Sequence, residues 1–151
     1  MGVPAAVRAR LPKNCNHLDN IWWKPDKTHI SRNEFDRILD SIIREETWIL
    51  DGDYSRTYEV RMNACDTIFF LDYSEEECMS GIQERVGIER SDMPWTEAQL
   101  DPELEEEVRK YRAEKRPVVL ELLEKYKEKE IHIFRSREET ATWMKGLGQR
   151  D

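Results

Sequence analysis

The chain has 151 residues, of which 38% are hydrophobic and 37% are charged, and its formal net charge is -8. This length suits one domain with one core, so it excludes a multidomain enzyme. The acidic charge argues against sequence-independent binding to DNA, because basic residues must neutralise the phosphates. No apolar run approaches the roughly 20 residues of a membrane span. The first residues also lack the apolar segment of a secretory signal, so we expect a cytoplasmic protein.

The three cysteines predict neither a disulfide framework nor a zinc site. Cys15, Cys65 and Cys78 form an odd set with no CxxC spacing and no neighbouring pair of histidines. Structural zinc sites need closely spaced Cys and His ligands, and disulfides come in pairs. We therefore expect reduced thiols.

Capping residues and apolar runs predict alternating helices and strands in the first half of the chain. Ser31 and Glu34 form a capping box in front of an apolar helical face, and a second box follows later in the chain. Two short runs rich in β-formers each end at an acid, and they indicate buried strands. The pattern predicts helices over 31–44 and 74–86 and strands over 47–51 and 66–72.

The second half of the chain continues this alternation. The segment 88–100 lacks periodicity and indicates a loop, until Asp101 and Pro102 supply an N-cap and a first helical proline. A proline inside a helix costs about 3 kcal/mol, so Pro117 predicts a break in this helical region. The pattern predicts helices over 102–115 and 117–126, a strand over 130–134, and a last helix that begins after Ser136.

The order of these elements is typical of an α/β fold. Strands that are continuously apolar, rather than alternating, belong to parallel sheets that helices flank on both faces. Ligands of such sheets bind beyond the carboxyl ends of the strands. The acids at two strand ends, Asp51 and Asp72, are therefore the first candidates for a functional site.

Several separate blocks resemble one family. They are HLDNIWWKP at 17–25, WILDGDYSRT at 48–57, DTIFFLD at 66–72, RVGIERSDMP at 85–94 and KRP at 115–117. In this order they resemble the adenylate-kinase-like P-loop NTPases of the topology modulation type, from about His17 to the C-terminus. The resemblance implies a single kinase-like domain over 1–151, with a parallel sheet flanked by helices and a short lid-like loop over 87–100.

The resemblance also implies roles for individual residues. Asp51 would be a catalytic residue that lies near the phosphates and contacts Mg²⁺ indirectly, and Asp19 and Arg56 would bind the acceptor. Arg85 and Arg90 would be catalytic arginines of the lid. Converging cations suit phosphoryl transfer, because its catalysis depends on positioned charge and excluded water.

A sixth residue, Arg116, would join Asp19 and Arg56 in binding the substrate. ATP and Mg²⁺ are the cofactors that the resemblance implies. The implied partner is a nucleotide or another small phosphate acceptor, with no role for nucleic acid or membrane.

The N-terminus departs from the family pattern. The 16 residues before His17, MGVPAAVRARLPKNCN, contain no GxxxxGK[ST] motif, which holds the triphosphate in family members. Pro4 lacks the amide that a central strand requires. The segment 1–16 therefore predicts a missing or degenerate first strand and P-loop, through divergence or truncation. Sheet edges exposed in this way would favour a homodimer.

Four of the candidate residues have structural alternatives. Asp51 also suits the start of an Asp-Gly turn, Arg56 also suits a solvated helix surface, and Asp72 is better explained as a cap beside Ser74. We expect His17 to be a hydrogen-bonded structural residue, since no nucleophile pattern accompanies it.

The tryptophan pair at 22 and 23 predicts one core ring and one ring available for a nucleobase, because neighbours in an extended segment point in opposite directions.

Two functions follow from the sequence. The first is ATP-dependent phosphoryl transfer by a nucleotide-binding, adenylate-kinase-like phosphotransferase. The alternative is a non-catalytic, degenerate P-loop protein or fragment that acts as a nucleotide-binding or interaction module. The identity of the acceptor stays open, because lid and loop residues do not specify a base or a sugar.

Overall fold

A computed structural model describes residues 15–148. Most of the segment in which the sequence lacks a P-loop, including Pro4, lies outside the described residues. The described residues form two compact units. Unit 1 contains residues 15–57 and 86–99, and unit 2 contains residues 58–85 and 100–148.

Unit 1 is built on two short parallel strands. The register places His17 opposite Asp51 at the carboxyl ends of both strands. This order positions two polar side chains side by side at one edge of the pair. In chain order, the elements are β1 (Cys15–His17), α1 (Leu18–Trp22), α2 (Arg32–Ile43), β2 (Ile49–Asp51) and a 3₁₀ turn (Ser55–Thr57).

The core of unit 1 lies beneath α2. This helix begins where the sequence predicts, because the Ser31 hydroxyl accepts a hydrogen bond of 3.1 Å from the Glu34 amide. Phe35 and Leu39 on its inner face pack with Leu18, and Phe35 and Leu18 are fully buried. Burial of each such side chain contributes about 1.5–3 kcal/mol.

Unit 2 holds the second pair of parallel strands. The register runs from Thr67 opposite Glu130 to Leu71 opposite Phe134. In chain order, the elements are α3 (Tyr58–Ala64), β3 (Thr67–Leu71), α4 (Glu75–Glu84), α5 (Pro102–Glu114), α6 (Arg116–Lys125), β4 (Glu130–Phe134) and α7 (Arg137–Leu147).

Local signals place most helix boundaries of unit 2. Ser74, Asp101 and Ser136 cap α4, α5 and α7, as predicted. Pro117 stands in the first turn of α6 and separates it from α5 at Lys115, which confirms the predicted break. The two helices are thus distinct, and the core of the unit is made by Tyr58, Ile68, Phe70, Val119 and Leu123.

The architecture is mixed α/β with parallel strands, as the sequence predicts. The described strands pair as two two-stranded sheets, so within residues 15–148 the predicted sheet is incomplete. Two local predictions need correction, because Trp22 ends α1 and is not extended, and α3 was not expected at all. No helix between residues 15 and 148 is long and apolar enough to cross a membrane.

Candidate functional site

Polar side chains gather at the carboxyl ends of β1 and β2. His17 Nδ1 lies 2.9 Å from Asp51 Oδ2, and the Tyr54 hydroxyl donates a hydrogen bond of 2.7 Å to Asp19 Oδ1. These four residues are the strand-end cluster. Both predicted carboxylates of unit 1 therefore lie at the edge where parallel α/β sheets bind ligands.

The turn after β2 holds the cluster in place. Gly52 has φ 149°, and a Cβ there would lie 2.9 Å from Leu18 Cβ, so the turn requires glycine. Tyr54 has φ 41°, which a bulky residue adopts only when its surroundings enforce it. Its ring stacks on Phe35 with centroids 5.2 Å apart. Strained backbone concentrates at functional sites. Asp51 is thus more than the start of a turn, since its buried carboxylate also orients His17.

The surroundings of Asp19 change its titration. Burial raises the pKa of its carboxyl group, the Tyr54 hydrogen bond opposes this effect, and the charges of Asp51 and Asp92 add to it. Asp92 is only 3% exposed and lies in the segment between α4 and α5. A carboxyl group with a raised pKa suits hydrogen bonding to, or proton exchange with, a bound ligand.

The two predicted arginines of unit 1 already have carboxylate partners. Arg56 Nη2 lies 2.8 Å from Oδ1 of Asp36, a residue of α2, and both side chains of this pair are exposed. Arg90 contacts both oxygens of the buried Asp92, with Nε 3.0 Å from Oδ1. A carboxylate already neutralises each guanidinium, so an anionic ligand would have to compete with it or use the remaining N–H donors.

The segment 88–100 has no helix or strand, as its lack of periodicity predicts. The Gly87 amide closes it by donating to the Glu97 carbonyl at 2.7 Å. Asn20 donates a hydrogen bond of 2.7 Å to the Ser91 carbonyl, and the Trp23 and Trp95 rings meet edge to face at 5.5 Å. The loop therefore packs against α1 within unit 1. Its Trp95 contacts Trp23, one of the two rings that the sequence analysis considered for a nucleobase.

In unit 2, Asp72, the residue after β3, forms a partly buried ion pair. Arg116 donates to both oxygens of Asp72 at 2.7 and 2.8 Å, and Arg112 Nη1 lies 3.9 Å from Oδ1. The hydrogen bond from Arg116 holds the pKa of Asp72 below its usual range. It outweighs the burial of the carboxylate, which raises the pKa. Asp72 was expected to be a cap, but the Ser74 hydroxyl caps α4 instead, accepting from the Glu77 amide.

Arg85, the remaining predicted arginine, ends α4 in unit 2. Its backbone amide donates to the carbonyls at the end of this helix, and its side chain is half-buried. A positive charge is favourable at a helix C-terminus. Arg85 therefore has a structural role at this position, beside any role toward a ligand.

The described residues fit Mg²⁺ only indirectly. Within residues 15–148, no three His, Cys, Asp or Glu side chains are grouped to hold a metal ion. Mg²⁺ often needs only one or two carboxylates, because phosphates and water complete its octahedron. The Asp51 side chain is 5% exposed and one oxygen contacts His17. Asp51 therefore suits contact through a water of the Mg²⁺ shell.

The sequence analysis did not identify three residues of the site as functional. Tyr54 lies in the DGDY turn that the sequence flagged, but its contact with Asp19 spans 35 residues. The partnership of His17 with Asp51 spans 34 residues, and no local pattern marks it. Asp92 raises the pKa of Asp19 through its charge. The parallel register at the strand ends is the signal that could have found His17.

Comparison of the chain with protein-family models, with curated proteins and with solved structures finds no match. The geometry of the two strand ends, together with the motifs of the sequence, is therefore the basis for a functional assignment.

Proposed function

We propose that the chain is a nucleotide-binding, kinase-like protein of the adenylate-kinase-like P-loop type, which transfers a phosphoryl group from ATP to a small acceptor. The strand-end cluster carries this proposal, because it places titratable side chains at the ligand-binding edge of two parallel strands. The strained DGDY turn that holds it belongs to the block 48–57, which also carries the family resemblance.

Each residue of the cluster has a role in this proposal. Asp19 and Tyr54 would bind the acceptor through their paired polar groups, and Asp51 would contact Mg²⁺ indirectly. Mg²⁺, when bound, would neutralise charge on the phosphates. The predicted arginines would provide further positive charge once they release their carboxylates.

A second candidate function is a non-catalytic nucleotide-binding module. The arginine pairs favour it, because Arg56, Arg90 and Arg116 are all bound to aspartates of their own unit. The absence of a GxxxxGK[ST] motif from the sequence points the same way. Such a protein would bind a ligand without turning it over.

Thermal unfolding with and without ligands tests the proposal. A ligand at a hundredfold excess over its Kd stabilises the native state by about 2.7 kcal/mol, so binding raises the midpoint. We expect MgATP to raise it, and ADP formation to follow when a small acceptor is added. A rise with AMP alone, without ADP formation, would support the binding module, and no rise with any ligand would refute both functions.

An arginine pair provides the matched control for ligand binding. Arg56→Gln and Arg44→Gln each remove one exposed arginine-aspartate pair that involves α2, so both should change stability by less than about 1 kcal/mol. Only Arg56→Gln should weaken the shift produced by AMP. Equal shifts in the two variants would remove Arg56 from the site.

A further inference from the structure

We infer that His17 accepts a proton in the proposed reaction, and that the phosphoryl acceptor is therefore a compound with an alcohol hydroxyl group. This inference rests on the proposed function and deepens it. It concerns a residue that the sequence marks only as structural, and it selects one class of acceptor over another.

The Asp51 carboxylate fixes the orientation of the imidazole. Nδ1 lies 2.9 Å from Asp51 Oδ2, and the two side chains are only 14% and 5% exposed. When a carboxylate accepts the hydrogen of Nδ1, the lone pair of the neutral ring is on Nε2. Among residues 15–148, no hydrogen bond or ion pair reaches Nε2 of His17. The ring thus presents a proton acceptor that the fold itself does not use.

This arrangement has the carboxylate and the base of a nucleophilic triad, but within the described part of the chain, 15–148, no serine or cysteine is hydrogen-bonded to the base. The nucleophile must then come from the ligand. A phosphate monoester needs no base near neutral pH, because its second pKa is about 6 and its oxygen is already ionised. An alcohol hydroxyl keeps its proton and needs a base. The His17–Asp51 pair therefore suits an alcohol.

The charges around the pair favour the same class. Asp51 and Asp19 lie at the strand ends, and Asp92 is close enough to raise the pKa of Asp19. Arg56 and Arg90, the two arginines of this unit that the sequence proposes for the site, are bound to aspartates. The carboxylates of these surroundings can accept hydrogen bonds from the neutral hydroxyl groups of an alcohol.

The second substrate of the proposed step is the nucleoside triphosphate, which supplies the phosphoryl group. His17 Nε2 takes the hydroxyl proton as the acceptor oxygen forms a bond to the terminal phosphorus. The bond from this phosphorus to the bridging oxygen breaks, and the diphosphate leaves with the electron pair. The Asp51 carboxylate stabilises the imidazolium, which then returns its proton to water. Asp51 is thus a positioning residue toward His17.

The first test is the tautomer of each imidazole, measured by ¹⁵N NMR of the full chain near neutral pH. We expect the Nδ1–H form for His17. His132 is the internal control, because its Nε2 lies 2.7 Å from Glu130 Oε1 and should carry the hydrogen. Asp51→Leu should remove the preference of His17 and leave His132 unchanged. An Nε2–H form of His17 in the native chain overturns the inference.

The second test measures ADP formation from MgATP, with water alone and with the neutral polyol ribitol as acceptors. General-base catalysis contributes about 10²–10⁴-fold, so we expect a loss of this size in His17→Ala and partial rescue by added imidazole. His17→Gln retains a hydrogen-bond donor toward Asp51 and guards against a folding defect. His132→Ala should turn over at the native rate.

The outcomes separate the inference from the proposed function. Phosphoryl transfer to AMP that His17→Ala leaves unchanged would overturn the inference while the kinase function stands. Failure of the native chain to bind or consume MgATP would refute the kinase function and the catalytic step with it. A loss in His17→Ala that imidazole does not rescue, in a variant that still unfolds cooperatively, would also overturn the inference.

Discussion

The two strand pairs end in the same residue type but use it differently. In unit 1, the aspartate at the end of β2 contacts His17, and in unit 2 the aspartate after β3 is held by Arg116. A guanidinium is always protonated, whereas an imidazole gains and loses its proton near neutral pH. The two strand-end carboxylates therefore differ in their partner, which is a permanent cation in unit 2 and an imidazole in unit 1.

The electrostatics of the two units follow this difference. Arginine charge lowers the pKa of Asp72, and burial beside other carboxylates raises the pKa of Asp19. Unit 2 thus stabilises an ionised carboxylate, and unit 1 disfavours one. The contrast favours unit 1 over unit 2 for the proposed proton transfer.

The largest expected effect comes from Phe35, the buried ring that stacks on Tyr54 of the strand-end cluster. Phe35→Ala removes a fully buried ring that also stacks on Tyr54, and it should lower the free energy of unfolding by about 3–5 kcal/mol. Phe69→Ala in unit 2 is the control, because Phe69 is 51% exposed and should cost much less. Denaturant unfolding of both variants measures the difference. Equal losses of unfolding free energy would contradict the view that buried Phe35 supports the strand-end cluster.

The ion pair of unit 2 gives the next largest effect. Arg116→Leu leaves the Asp72 carboxylate, only 6% exposed, without its bidentate partner, and should cost about 3 kcal/mol. Arg44→Leu breaks an exposed pair with Asp40 and should cost less than about 1 kcal/mol. Chemical denaturation compares the two. A small loss in Arg116→Leu would mean that Arg116 is available to a ligand after all.

A smaller effect tests the turn after β2. Gly52 and Gly87 both have positive φ, but only at Gly52 would a Cβ meet a neighbour, Leu18 Cβ, at 2.9 Å. Alanine at either position strains the backbone by about 1–3 kcal/mol. We expect Gly52→Ala to lose more stability than Gly87→Ala, and also to weaken ligand binding by the cluster. Thermal unfolding with AMP and MgATP measures both quantities.

The smallest effect is a difference in sign between two carboxyl groups. The folded-state pKa of Asp19 is raised, so its contribution to stability falls as pH rises from about 4, its unfolded pKa, through the folded value. Asp72 has a lowered pKa, so its contribution is present above about pH 4 and is lost as pH falls through the folded value.

Replacement of Asp19 therefore tests the comparison directly. Asp19→Asn keeps an acceptor for the Tyr54 hydroxyl, and it should be at least as stable as the native chain at neutral pH. Asp72→Asn should be less stable there. Unfolding free energies measured from acid to neutral pH check both slopes, and parallel curves for Asp19→Asn and the native chain would contradict the raised pKa.

Local chemistry made most elements predictable. The capping boxes at Ser31, Ser74 and Ser136 and the break at Pro117 act within a few residues, so sequence patterns identify them. Helix α3 has no such cap, because it continues the preceding 3₁₀ turn, and it was missed.

The partners of the strand-end acids could not be predicted in the same way. Asp72 and Arg116 are 44 residues apart, and His17 and Asp51 are 34 apart, so only the folded chain brings them together. The sequence located the acids but assigned Asp72 to a cap. Which cation or imidazole reaches a carboxylate depends on packing, which a pattern of residue types does not encode.

The course of the chain through the two units has a consequence for synthesis. Along the sequence, residues 15–57 of unit 1 come first, residues 58–85 of unit 2 follow, and residues 86–99 then complete unit 1. Asp92, whose charge acts on Asp19, therefore emerges from the ribosome more than seventy residues after its neighbour. Folding during translation generally proceeds from the N-terminus. The candidate site thus reaches its final electrostatic environment only after about two thirds of the protein has been made.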